Sequence, residues 1–131
     1  MRTKIDFFLR LITAVILIQS LYFKFTGHAE AVHIFSTLHV EPWGRIALGC
    51  IELFIGITLL LPRTKNFGTL GAIGLMIGAI GVHLFTPVGI VVQWQDKSDS
   101  GQLFVMAIVA FLCSTVSFFI QKRSSNSKKT S

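Results

Sequence analysis

The chain is written as long apolar runs separated by short polar interruptions. Four runs each approach the ~20 residues that an α-helix needs to cross a hydrocarbon layer. They cover residues 7–25, 43–61, 67–86 and 103–120. Proline marks several of their ends, because its ring is disfavoured inside a helix. Pro42 and Pro62 bracket the second run, and Pro87 follows the third. The link Arg63-Thr64-Lys65-Asn66 is so short that runs two and three must form an antiparallel hairpin. Trp43 and Trp94 flank runs where interfacial anchors stand. The stretch from Gly27 to Pro42 is no span, but Val32, Phe35 and Leu38 recur at about helical spacing. It predicts a short amphipathic helix on the membrane surface. The first run is too long for the ~7–15-residue core of a signal peptide. Lys24 and His28 also crowd the region before Ala29-Glu30-Ala31, so that run is read as a retained span. The pattern predicts an all-α, four-helix transmembrane bundle as one domain over residues 1–121. A disordered, basic Ser/Lys-rich tail over 122–131 follows.

Composition agrees and adds an orientation. Of the 131 residues, 52% are hydrophobic and 14% charged, against about 25% charged in an average soluble chain. A small soluble domain and a disordered chain are both excluded. The net charge of +6 would suggest nucleic acid in a soluble protein. Here its distribution explains it without that partner. One side of the spans holds nine basic residues: Arg2, Lys4, Arg10, Arg63, Lys65, Lys122, Arg123, Lys128 and Lys129. The other side holds three, Lys24, Arg45 and Lys97. Basic excess marks the cytoplasmic side, so both termini are expected there.

Lipid supplies no hydrophobic push between helices, so small residues mark their close contacts. Gly71, Gly74, Gly78 and Gly81 form one stripe on span three. Ala107, Ala110, Ser114 and Ser117 repeat the spacing on span four, predicting that the two stripes pack together. Span three has a second face in Ala72, Met76, Ala79 and His83, which predicts a second neighbour.

Glu52 is the residue these requirements leave unexplained. It stands nine residues from either end of span two, about 13 Å deep. A charge at such depth costs ~2.5–3.5 kcal/mol on insertion scales, so the acid is either protonated or paired. Arg45, Gly49, Glu52 and Gly56 share one face, which points inward. On span one, Arg10, Thr13, Leu17, Ser20 and Lys24 share a stripe, with Gln19 beside it. Lys24, Arg45, Glu52 and His83, with Gln19 below, are the candidate lining of a polar cavity open to the outside. A bundle-locking hydrogen bond at Glu52 is the competing reading.

Other chemistry lacks its motifs. Cys50 and Cys113 form no CxxC, and a buried free cysteine behaves as a small apolar residue. His28, His33 and His39 are spaced by five and six, which is not one helical face, so no metal site is assigned. There is no Walker A, GxGxxG, nucleophile elbow or haem-binding motif, and no catalytic residue is assigned.

Three segments carry a family resemblance. They are Tyr22-Phe23-Lys24-Phe25-Thr26-Gly27, the run from Glu52 to Arg63 through Gly56 and Pro62, and a third span ending in His83. Over residues 5 to 121 the chain resembles the DoxX-like group of small four-helix bacterial membrane proteins. Its usual glycine shortly before the lysine is absent here, and Ser20 stands nearby. The resemblance implies a multi-pass protein of the bacterial cell membrane. It implies a membrane subunit or accessory of a quinone-linked or stress-related redox system, with Lys24 and Glu52 as the typical polar positions. Quinone is then the cofactor to consider, with the bilayer and oxidoreductase subunits or a second copy as partners. A small transporter, a lipid head-group binder using the same cavity, and a purely structural membrane protein remain the alternatives.

Overall fold

The structure is a computed structural model that describes residues 2–94, 97–98 and 101–130. Helices α1 (Arg2–Thr26), α2 (Ala29–Thr37), α3 (Trp43–Leu60) and α4 (Lys65–Phe85) come first. A two-residue hairpin follows, β1 (Gln93–Trp94) paired antiparallel with β2 (Lys97–Ser98). The last helix is α5 (Gln102–Thr130). Residues Lys4–Thr26, Trp43–Leu60, Lys65–Phe85 and Gln102–Ser124 are each long and apolar enough to cross a membrane. These are the four predicted spans, with no end shifted by more than four residues.

The four long helices form a ring in which α1 packs on α3 and α5, and α4 packs on the same two. The start of α1 meets the end of α5 through an Asp6–Gln121 hydrogen bond, so both chain ends lie at one end of the bundle. The short α2 lies at the other end against α1, α3 and β1. Local chemistry explains that arrangement. Gly27 closes α1 with a φ of +71°, which glycine adopts without a steric penalty. His28 then caps α2 by accepting the Glu30 N–H at 3.2 Å. Phe35 and Ala31 turn α2's buried face onto the bundle; Val32 and Leu38, expected on that face, are only half-buried.

Between the two ends sits an apolar core of Leu17, Ile55, Leu59, Ala72, Ala107 and Ala110. Phe8, Val15, Phe54, Ile77, Val116 and Phe119 lie on the outside, as expected where lipid is the solvent. Trp43 is exposed at the start of α3, while the side chain of Trp94 lies outside the described residues.

Three expectations need correction. The α4–α5 pairing exists and α5 uses the expected face, with Ala107, Ala110, Ser114 and Ser117 all buried. The glycine stripe of α4 does not meet it. A Cβ added at Gly74, Gly78 or Gly81 would touch nothing, whereas one at Gly71 would strike Ile55 of α3. The face of α4 turned inward is Thr69, Ala72, Met76 and His83. One small surface per contact is enough for close approach, and α5 already supplies it. Second, Arg10, counted with the basic residues that orient the spans, is itself buried, at 4% exposed. Third, the helix does not stop at Ile120 but continues to Thr130. Extending a formed helix needs no new nucleus, and Gln, Lys and Arg are good helix formers. Side chains beyond Ser124 and residue Ser131 lie outside the described residues.

Candidate functional site

One stripe of α1 organises both polar regions of the bundle. Asp6, Arg10, Thr13, Leu17, Ser20 and Lys24 alternate steps of four and three residues, which keeps them on one face. Leu17 and its core neighbours divide that stripe into two polar halves.

At the α2 end, Lys24 Nζ stands 3.0 Å from Glu52 Oε2, with side-chain exposures of 14% and 8%. Ser20 Oγ donates to the same oxygen at 2.9 Å, and Lys24 Nζ reaches Ser20 Oγ at 3.2 Å. The depth penalty that Glu52 posed is therefore met by a cation and a hydroxyl. Desolvating two charges stabilises nothing by itself, and such pairs persist only with added hydrogen bonds. Ser20 supplies one.

A cavity of about 160 Å³ adjoins this pair. Leu17, Met76 and Ala107 form part of its wall toward the core, and Ile34 and Phe35 of α2, with Leu38 at its C-cap, roof it. Gln19 and His83 complete its polar lining with Ser20, Lys24 and Glu52. Gln19 Nε2 donates to the Ile16 carbonyl at 3.0 Å and lies 3.8 Å from Met106 Sδ. His83 is 2.7 Å from the Gly89 carbonyl through Nδ1. A carbonyl only accepts, so Nδ1 carries the proton. The ring also lies against Phe104, with centroids 5.7 Å apart.

Four of the five residues expected at the cavity thus share it. Arg45 does not. Its Nε donates to Glu41 at 2.9 and 3.1 Å, and its Nη1 donates to the Lys24 carbonyl. It ties the last turn of α1 to the start of α3. Helical spacing puts Arg45 on Glu52's face but two turns away, where its long arm finds nearer acceptors.

The other polar half was hidden by the charge count. Asp6 and Arg10 are 2% and 4% exposed and pair at 3.1 Å. Asp6 Oδ1 also accepts from Ser117 Oγ and from Gln121 Nε2, the latter at 3.0 Å. Gln121 Nε2 reaches Thr69 Oγ1 at 3.0 Å, and Arg10 Nη1 donates to the Leu59 carbonyl. All four long helices contribute. The signal was present as the i, i+4 pair Asp6–Arg10 on the stripe that carries Ser20 and Lys24.

A profile of the DoxX-like family matches residues 8–95, a stretch that holds most of α1, all of α2 to α4, and the Lys24–Glu52 pair. No curated protein and no solved structure matches the chain. With four spans packed as one bundle, the chain is an integral membrane protein and belongs to the DoxX-like family.

Proposed function

We propose that this protein is a membrane subunit or accessory of a redox system and holds a quinone-type head group beside Lys24 and Glu52. The observation that carries the reading is the cavity itself. Apolar surfaces with a few convergent polar groups are the ordinary make-up of small-molecule sites. A cavity of ~150 Å³ accepts a benzene ring in a protein core, so about 160 Å³ suits one six-membered ring. Lys24 lines the cavity with its ammonium donor and Gln19 lines it with an amide, and donors are what ring carbonyl oxygens require. The apolar core toward the termini favours a one-ended binding chamber over a conduit. The excess of basic residues at the end carrying both termini supports a cytoplasmic placement there. The cavity then lies in the half of the bundle away from the cytoplasm.

Native mass spectrometry after gentle extraction from the bacterial membrane tests this reading. The expected result is a co-purifying quinone mass, an oxidoreductase subunit, or both, with the quinone lost in Glu52→Gln. A monomer with neither ligand nor partner overturns it. Solute flux in proteoliposomes that falls in Glu52→Gln would favour the transporter reading instead.

A further inference from the structure

We propose that a second chamber, beneath α2 and between α1 and α5, is the route by which water and protons reach Lys24. The inference rests on reading the first cavity as the ligand site and names how that site exchanges protons. The second chamber measures about 120 Å³, ample room for water. Phe23, Glu30 and Gln102 line it and not the first cavity. Seven residues line both and form the partition, among them Gln19, Ser20, Lys24 and Met106. Glu52 lines only the first. Lys24 therefore stands between two carboxyl groups, Glu52 on the ligand side and Glu30 on the other.

Buried water persists where two to four polar partners are in reach. Gln19, Ser20, Lys24, Glu30 and Gln102 provide such partners around this chamber. Gln102, at the start of α5, is exposed and brings the chamber to the surface. Toward the termini, the seam between α1 and α5 is closed by Ala14, Ala107 and Ala110 and then by the Asp6–Ser117 and Asp6–Gln121 bonds. The route accordingly opens at the α2 end.

The charged groups around Lys24 suit a relay. Glu52 from α3 holds the ammonium, Glu30 from α2 shares the chamber, Arg45 binds the Lys24 carbonyl, and His83 from α4 lines the first cavity. A bound quinone would supply the redox chemistry, taking up two protons with two electrons from an oxidoreductase partner. Lys24 Nζ would hold a proton beside the ligand and exchange it with water on the other side of the partition.

Thiol accessibility tests the route without any ligand. In a background with Cys50→Ala and Cys113→Ala, Ser20→Cys is exposed to a charged, water-soluble methanethiosulfonate. Gln19→Cys serves as a second reporter in case Ser20→Cys disturbs the Lys24–Glu52 pair. The reporter thiol is expected to react at least about tenfold faster than Val15→Cys on the lipid-facing side of α1. Adding Gln102→Trp at the mouth should slow it by about tenfold, while Leu48→Trp, in the first cavity alone, should not. Reporter thiols no faster than Val15→Cys, or slowed by Leu48→Trp and not by Gln102→Trp, overturn the route. Absence of bound quinone from the wild type would count against the ligand reading and leave the labelling result to stand by itself.

Discussion

The two polar halves of the bundle use the same ingredients in opposite ways. Each places an acid beside a basic residue of the α1 stripe, and each side chain is largely withdrawn from solvent. At the end carrying the termini, Asp6 accepts from Arg10, Ser117 and Gln121, and α4 joins through Thr69. That network spans all four long helices. At the α2 end, Glu52 accepts from Lys24 and Ser20 on a single helix and faces an open volume. A saturated network between helices fixes their positions relative to one another. A pair on a cavity wall leaves donors turned toward whatever enters. Membrane acids are functional candidates by default, and the contrast shows why that default cannot be applied by depth alone. Surroundings decide: Asp6 is a clasp, and Glu52 is the candidate site.

The largest expected effect falls on the clasp. Asp6→Ala leaves Arg10 buried without its counter-ion, and breaking such a pair typically costs about 3–5 kcal/mol. Ser117 and Gln121 lose an acceptor at the same time. Thermal unfolding of the purified protein in detergent should show a large drop in Tm or no folded yield. Stability near the wild-type value would mean that the clasp does not hold the helices. Glu52→Gln should cost less, about 1–3 kcal/mol for a hydrogen-bonded charged group, since Lys24 retains Ser20. Its defining loss is the bound ligand. If Glu52→Gln unfolds the protein as severely as Asp6→Ala, the two clusters are alike and Glu52 is structural.

Hydropathy and proline placement made all four spans legible in the sequence, because in lipid the helix is forced on any long apolar run. The stripe on α1 was legible too, and its Lys24 stands 3.0 Å from Glu52. Asp6 and Arg10 were not read as a pair because they stand in a basic terminal segment that topology already explains. Arg45 was misplaced because helical spacing assigns a face, while a four-bond side chain chooses among all acceptors within its reach. The glycine stripe failed for a different reason. Small residues permit close approach without requiring it, and which face is used depends on the partner's surface. The polar lining of the cavity was legible residue by residue, but its volume and its α2 roof leave no linear signature, because they arise where three long helices and α2 meet.

Arg45 offers a smaller and more selective perturbation. Arg45→Ala removes the bonds to Glu41 and to the Lys24 carbonyl but no wall of the cavity. The expected cost is about 1 kcal/mol, read as a modest fall in Tm, with ligand retained in native spectra. Loss of ligand at unchanged Tm would instead return Arg45 to the site.

The smallest effect tests the frame on which both clusters hang, since α4 supplies Thr69 to one and His83 to the other. Which face of α4 points inward determines whether those residues can reach their places. An added Cβ at Gly78 would meet open space, and alanine is favoured over glycine in helices by up to ~1 kcal/mol. Surface changes away from buried contacts usually stay within about 0.5 kcal/mol. Gly78→Ala should therefore leave Tm unchanged or slightly raised, with both the clasp and the ligand intact. The opposite sign is the informative one. If the glycine stripe packed against α5, the added methyl group would overfill a helix contact and cost about 1–3 kcal/mol. A fall in Tm of that size would rotate α4, pull Thr69 away from Gln121 and His83 away from the cavity, and dissolve the contrast between the two halves.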